Sequence, residues 1–297
     1  MKILVIIVTY NAMKWVDYCF SSLCASSLKP DMYIVDNGST DGTQDYIRKK
    51  YPEAIFIQSK GNVGFGRANN LGLQYAKDND YEYVYLLNQD AWIFPDTLEG
   101  LVKISKRNPE YGILSPFQME ANLKHIDRVF KKDVCGWQSS PDLLDDVYLH
   151  KGEDVIPVTF VMAAHWFMTR ECFLKVGGFS PTFPHYGEDM NYIHRAFFWK
   201  FKIGVVPSLQ VVHDREKRPT NKKKKVYLKY IFNLVNLSNP TVQVGPALFR
   251  ITYSSFRQII TFYSFIPIWN LIKTFINYSK IRSNRIISIQ INGAFLK

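Results

Sequence analysis

Residues Lys2–Val8 read KILVIIV, an unbroken aliphatic and β-branched run that stops at Thr9-Tyr10-Asn11. Lacking polar alternation and too short to cross a membrane, it predicts a parallel strand covered on both faces. Trp15, Tyr18, Cys19, Ser22 and Leu23 recur at helical spacing, and Met32–Val35 gives a second strand ending in Asp36-Asn37-Gly38-Ser39-Thr40-Asp41-Gly42. The alternation continues with a strand at Ile55–Ile57, a glycine loop at Gly61–Gly66, a helix at Ala68–Ala76 and a strand at Tyr83–Leu87 ending in Asn88-Gln89-Asp90. Repeated strand, helix, strand implies right-handed crossovers and a mostly parallel sheet flanked by helices. Ligands on such a sheet bind beyond the carboxyl ends of its strands. The polar clusters at 9–11, 36–41, 62–70 and 88–90 are therefore expected on one edge.

Further along, Pro95–Ser105 predicts a helix and Gly112–Ser115 an extended segment, while the mixed, acidic stretch 117–157 predicts irregular or hairpin structure. Val158–Thr169 reads as an apolar strand, Arg170–Val176 as a short helix and Gly177-Gly178-Phe179 as a turn. A helix is predicted over Met190–Lys200, preceded by Glu188-Asp189, and two short strands at Ile203–Val206 and Val211–Val212, with His213 closing the second.

Charge divides the chain. The net +11 splits into −3 through Asp214 and +14 from Arg215 onward, where Lys222–Lys225 precede a stretch rich in Ile, Phe, Tyr and Trp. A near-neutral body with a basic, aromatic tail suits either nucleic acid or anionic lipid. Ala247–Ile276 is broken by Arg250, Arg257, Pro267 and Lys273, so an interfacial amphipathic segment is expected rather than a crossing. The other reading is a helical pair packed on the body with a solvated basic face. At 47% hydrophobic and 21% charged residues the 297-residue chain is ordinary globular protein, and general disorder is excluded. Cys19, Cys24, Cys135 and Cys172 lack metal or redox spacing and read as small buried hydrophobes in a reduced, cytoplasmic chain.

A carboxylate, amides and a glycine loop at one sheet edge suit a nucleotide diphosphate with a divalent cation. The loop Gly61-Asn62-Val63-Gly64-Phe65-Gly66 has neither GxGxxG spacing nor a P-loop Lys-Ser/Thr, which argues against dinucleotide oxidoreductases and ATPases. The blocks VIIVTYNA at 5–12, IVDNGSTDGT at 34–43, NVGFGRANNLG at 62–72, LLNQDAW at 86–92, VGGFSPTFPHYGEDMNYIHRA at 176–196 and VVH at 211–213 carry a more specific signal. Together, in this order, they make the chain resemble family 2 inverting glycosyltransferases of the GT-A fold, in particular bacterial rhamnosyltransferase-like enzymes of polysaccharide biosynthesis. The resemblance covers roughly residues 3–215, which implies a GT-A catalytic domain over 1–215. Residues 216–297 lie outside it and form a basic, aromatic, helical C-terminal extension.

Several roles follow from the resemblance. Thr9, Tyr10 and Asn11 frame the nucleotide, and Asp36 accepts hydrogen bonds from the base, unless the 36–41 stretch is an Asx-rich turn that only caps the next helix, the reading preferred for Asp41. Asn62, Gly64, Phe65, Arg67, Asn69 and Asn70 line the nucleotide-sugar pocket, with Arg67 near phosphate; Asn69 and Asn70 have a second reading as caps or solvated helix residues. Asn88-Gln89-Asp90 occupies the place of the family's Asp-x-Asp metal motif, with Asn88 where the first Asp stands. Asp90 then binds Mg²⁺ or Mn²⁺, and His213 helps to hold the metal or the diphosphate, with a structural strand-end histidine as its other reading. Asn88 and Gln89 face the donor, and a single carboxylate implies weaker metal affinity.

Asp189 is the implied general base, with an N-cap as its alternative. Glu188 is placed at the acceptor or in support of the loop. His165 and Trp166 are placed at acceptor or sugar, with core packing as the competing reading of Trp166. The implied partners are a nucleotide-diphosphate sugar, a glycan or lipid-linked glycan acceptor and an anionic membrane at the inner face of the cell membrane, but no nucleic acid. The alternatives are a nucleotide-sugar-binding protein without catalysis and a nucleic-acid-binding protein using the tail.

Overall fold

The computed structural model describes residues 1–136, 139–149, 152–216, 221–262, 265–290 and 293–296. The first apolar run forms β1 (Ile3–Thr9), with Leu4 and Ile6 in one core and Ile3, Val5 and Ile7 in another on the opposite face of the sheet. Burial on both faces explains its lack of polar alternation. The chain continues through α1 (Val16–Cys24), β2 (Asp31–Asp36), α2 (Thr43–Lys50), β3 (Ile55–Gln58), α3 (Phe65–Asp78) and β4 (Tyr83–Asn88). Next come β5 (Ala91–Ile93), α4 (Thr97–Arg107), β6 (Tyr111–Met119), α5 (Arg128–Asp133) and α6 (Leu143–Tyr148). The sheet-bearing part of the chain closes with β7 (Ile156–Pro157), β8 (His165–Thr169), α7 (Arg170–Val176), α8 (Glu188–Phe198) and β9 (Lys202–His213).

The sheet order is β3-β2-β1-β4-β8-β6-β9-β5, with β7 beside β9. Strands β1, β2, β3, β4, β6 and β9 run one way and β5, β7 and β8 the other, so the sheet is mixed but mostly parallel. Register places Thr9 beside Asp36 and Val8 beside Asn88, gathering the carboxyl ends of β1, β2 and β4 on one edge. The end of β9 reaches that edge too, where His213 pairs with Ala91.

Some expected elements differ. Only His165–Thr169 of the run 158–169 is a strand; the part before it is irregular yet largely buried, so its apolar character reflects burial and not pairing. The two strands expected at 203–206 and 211–212 are one, β9, interrupted where pairing with β6 jumps from Val206 to Gln210. Glu188 and Asp189 lie in the first turn of α8, behind a left-handed Gly187, and not ahead of the helix. Cys24, at the outer end of α1, is exposed, whereas Cys19, Cys135 and Cys172 are buried as expected.

Beyond residue 220 the described chain is helical: α9 (Lys222–Ser238), α10 (Val244–Phe262), α11 (Ile266–Ile276) and α12 (Tyr278–Ile287). Ile231, Leu234, Val235 and Leu237 of α9 join Ala247, Ile251 and Ile281 in a third core that includes Phe183, with Met190 against it. At about 1.5–3 kcal/mol per fully buried aliphatic side chain, this cluster fastens the helices to the segment leading into α8. Among the described residues, no helix is long and apolar enough to cross a membrane.

Candidate active site

The loop after β2 is organised by Asp36, which is fully buried. Its Oδ1 accepts from the backbone N–H groups of Gly38 (3.0 Å) and Ser39 (2.9 Å) and from Gln44 Nε2 (2.9 Å). Oδ2 accepts from Thr9 Oγ1 (2.9 Å) and Ser39 Oγ (2.5 Å). Both oxygens are committed within the protein, so the expected role of Asp36 as acceptor for the base is replaced by one as the knot of the loop, with Thr9 buried beneath it. Asp41 brackets the start of α2 by accepting from the Thr43 N–H (3.1 Å), in keeping with the capping reading. Asn11, with φ of 51°, staples the β1 loop to its neighbour: its N–H donates to Ser39 Oγ (2.9 Å) and its Oδ1 accepts from the Thr40 N–H (2.8 Å). Gln89 brackets Tyr10, accepting from its N–H at 2.7 Å and donating to its carbonyl at 3.2 Å. Tyr10 and Asn11 are exposed above this frame.

Pairing of β5 with β9 brings His213 beside Asp90, with Nε2 of the ring 3.4 Å from Oδ1 of the carboxylate. His213 Nδ1 meets Gln118 Oε1 at 3.2 Å, and Gln118 Nε2 donates to Ser115 Oγ at 3.2 Å. That network assigns the proton to Nδ1 and turns the Nε2 lone pair toward the carboxylate. Two electron-rich groups at this separation are at rest only with a proton or cation between them, so the donor set fits a divalent ion. No cluster of three or more His, Cys, Asp or Glu ligands occurs among the described residues. A Mg²⁺ or Mn²⁺ held by Asp90 and His213 would take its other ligands from diphosphate and water, the usual pattern for such ions. When a proton rather than a cation sits between the two side chains, burial pushes the Asp90 carboxyl up, but its hydrogen bond to His213, then charged, and the charges of His213 and Arg215 outweigh this and hold it below the usual range.

Asp189 connects to the same edge through the backbone. It accepts from the Ala163 N–H, while the Asn88 N–H donates to the Ala164 carbonyl at 3.0 Å. Tyr186 and Gly187, with φ of 67° and 84°, make the turn that starts α8. A Cβ at Gly187 would lie 2.7 Å from Ile231 and 2.8 Å from Val235, so α9 presses on the backbone that sets the Asp189 carboxylate. Burial raises the Asp189 pKa against the pull of backbone N–H groups and Arg215, suiting a proton acceptor. Glu188 is pushed up to about 8 by burial and by the Asp189 charge, and its Oε2 is buried without a partner. At neutral pH Glu188 therefore holds a proton, which spares Asp189 a neighbouring negative charge. Since the folded state binds this proton and the unfolded state releases it from the ordinary glutamate range upward, stability falls as pH rises toward about 8. Melting curves across that window should slope downward, and Glu188→Gln should flatten them; an unchanged slope in the variant would assign the titration elsewhere.

The glycine loop does more for the fold than expected. Asn62 Oδ1 caps the Gly64 N–H at 2.9 Å. Asn69 is buried and donates to the Phe65 carbonyl at 3.0 Å, while Asn70 clasps Phe179 by donating to its carbonyl (2.9 Å) and accepting from its N–H (2.6 Å). Phe65 lies edge-on to Phe179. Asn69 and Asn70 are corrected from donor contacts to supports of the loop, because their amides are spent on backbone. Arg67 is exposed with no ion pair among the described residues, and remains available to phosphate.

His165 and Trp166 are also corrected, since both are fully buried. His165 Nε2 donates to the Val212 carbonyl (2.9 Å), so Nδ1 accepts from the Tyr85 hydroxyl (2.7 Å), and burial lowers its pKa to about 3. Trp166 donates to the Val161 carbonyl (3.1 Å) and stacks on Phe179. Neither can meet a sugar.

Arg215 escaped the sequence reading. Its Nε contacts both oxygens of Asp127, at 3.2 and 3.1 Å, while Nη2 is buried without a partner. Its charge lowers the pKa of both Asp90 and Asp189. A cavity of about 370 Å³ lies beside it, lined by His213, Asp214, Asp127, Arg128 and Glu120 among others. Nothing in sequence flags this arginine because its partner is 88 residues away.

The profile of Glycosyl transferase family 2 matches residues 4–162. An N-acetylglucosaminyl-diphospho-decaprenol L-rhamnosyltransferase of Mycobacterium tuberculosis is 24% identical over 231 residues, 71% of this chain and 75% of that protein. The low-salt glycan biosynthesis hexosyltransferase Agl10 of Haloferax volcanii is 21% identical over 221 residues, 71% of this chain and 66% of the relative. Among solved structures, TarS 1-349 of S. aureus in complex with UDP-GlcNAc superposes with a TM-score of 0.58 at 14% identity, covering 97% of this chain and 89% of that one. The mannosyltransferase PcManGT of Pyrobaculum calidifontis, in complex with GDP-Man and Mn2+, gives a TM-score of 0.57 at 16% identity over 97% and 85%.

Proposed function

This chain belongs to glycosyl transferase family 2, and from that premise we propose that it transfers a sugar, with inversion, from a nucleotide-diphosphate donor to a hydroxyl of a glycan or lipid-linked glycan. The setting is bacterial surface polysaccharide assembly, O-antigen or capsule, at the inner face of the cell membrane. The observation that carries the reading is that Asp189 and the Asp90–His213 pair lie on one sheet edge under the charge of one arginine, Arg215.

In this reading Asp189 receives the proton of the acceptor hydroxyl as its oxygen bonds to the anomeric carbon. The bond from that carbon to the diphosphate breaks on the opposite face, and its electron pair leaves with the phosphate. Asp90 and His213 would hold a divalent ion, which would neutralise the charge gathering on that phosphate. Arg215, fixed at Nε by Asp127, offers its remaining N–H groups to the same anion, and Arg67 approaches from the glycine loop. Neutral Glu188 keeps a second negative charge away from Asp189. Tyr10, Asn11, Asn88 and Gln89 bound the nucleotide side. Retained relatives with a UDP-GlcNAc or GDP-Man complex, and one named for a decaprenol-linked acceptor, support this choice of substrate classes.

The test is a thermal-shift panel of UDP-, GDP- and dTDP-sugars with Mn²⁺. One nucleotide series should raise the melting temperature, chelation should remove most of the rise, and Arg215→Gln should weaken binding about tenfold or more by deleting charge-assisted hydrogen bonds. Absence of binding across the panel would overturn the reading.

A further inference from the structure

The helices beyond residue 220 present two different faces. Their inner face is the third core, against Phe183. Outward, α10 presents Phe249, Tyr253, Phe256 and Ile260, spaced by four, three and four residues and therefore in one stripe; Phe249 is 72% and Ile260 73% exposed. On α11, Trp269 and Ile276 are exposed to 62% and 73%. Large apolar groups left in water along successive helical turns mark a surface that meets a partner.

Charge identifies the partner. Arg250 and Arg257 flank the α10 stripe and, with Lys229, line a groove of about 650 Å³ between α9 and α10. Lys222, Lys223 and Lys225 are exposed at the start of α9, and Lys224 lies 5.7 Å from the Tyr186 ring beside the base-bearing turn. From Arg215 onward the chain carries +14 with a single acidic residue. A second copy of this face would be repelled by it, whereas an anionic surface with an apolar interior satisfies both features at once. Basic residues beside an apolar helical stripe are the arrangement of helices that lie in the headgroup region of a bilayer.

We propose that the exposed α10–α11 face, with the lysines at the start of α9, is a docking surface for an anionic lipid bilayer, on which the protein rests without crossing it. The inference rests on the transferase reading only for its setting, since vesicle binding and donor binding are separate measurements. Co-sedimentation of the full chain with phosphatidylglycerol vesicles should be strong at low salt, fall steeply as salt rises, and be weak with phosphatidylcholine alone. Phe256→Ser with Ile260→Ser and Trp269→Ser should abolish it. A second variant, Lys222→Ser with Lys223→Ser and Lys225→Ser, should weaken it on the order of a hundredfold. Both variants should melt like the parent and keep its response to nucleotide sugars. No binding by the parent chain, equal binding to both lipids, binding unchanged in both variants, or sedimentation showing a dimer that the apolar variant breaks in the absence of vesicle binding would each overturn the docking surface and leave the transferase reading standing.

Discussion

Asp189→Asn should lower sugar transfer by ~10²–10⁴-fold, the range for a positioned general base, while nucleotide-sugar binding persists. Asparagine keeps the size of the side chain and its capacity to accept from the Met190 N–H, now made at 2.8 Å, but does not take up a proton near neutral pH. The pairing of lost transfer with retained binding separates catalysis from mere capture of the donor. Single-turnover transfer and a binding isotherm on the same preparation decide it, and unchanged transfer would remove Asp189 from the base role. The acid side of the pH–rate profile of the parent enzyme should lie above the ordinary aspartate range, because burial raises this carboxyl.

The second large effect is on stability. Arg195 is fully buried in α8 and donates to three backbone carbonyls: Val176, Gly178 at 2.6 Å and Ser288 at 3.4 Å. It thereby joins α8, the turn after α7 and the end of the C-terminal helices. Burial pulls its pKa down to about 10, so the guanidinium remains charged at neutral pH and its hydrogen bonds are charge-assisted. Arg195→Met preserves apolar contact but strands those carbonyls, each unsatisfied buried group costing about 1–3 kcal/mol. Taking about 3 kcal/mol in all, after relief of the buried charge, the melting temperature should fall by roughly 6–12 °C. Lysine should not rescue, since one ammonium does not span the fork. A Met variant as stable as the parent would mean that desolvation of the cation cancels its bonds.

The parallel half of the sheet was legible because burial on both faces writes itself as unbroken apolar text, as in β1, and because each strand stops at a polar cluster. The same cue misled at Val158–Ala164, which is apolar through burial in an irregular path, and β9 was split because its bulge interrupts the text without ending the strand. The adjacency of Asp90 and His213 was expected from the motif blocks, and the fold brings them within 3.4 Å. Asp36, Asn69, Asn70 and His165 could not be assigned correctly from sequence, since whether an amide, carboxylate or imidazole faces a ligand or its own backbone depends on partners up to 109 residues away. Arg215 and Gln118 show the converse: groups that tune the site from outside any recognisable block. The contact of Gly187 with α9 has no signal in the sequence.

A last consequence follows from Gly64, where φ is 88° and an added Cβ would sit 2.4 Å from the Pro184 carbonyl oxygen. The donor loop and the segment leading to the base touch there through bare backbone. Under the transferase reading proposed above, any side chain at residue 64 would press on the backbone that leads to Asp189, so the spacing of these two segments is set by the smallest residue available.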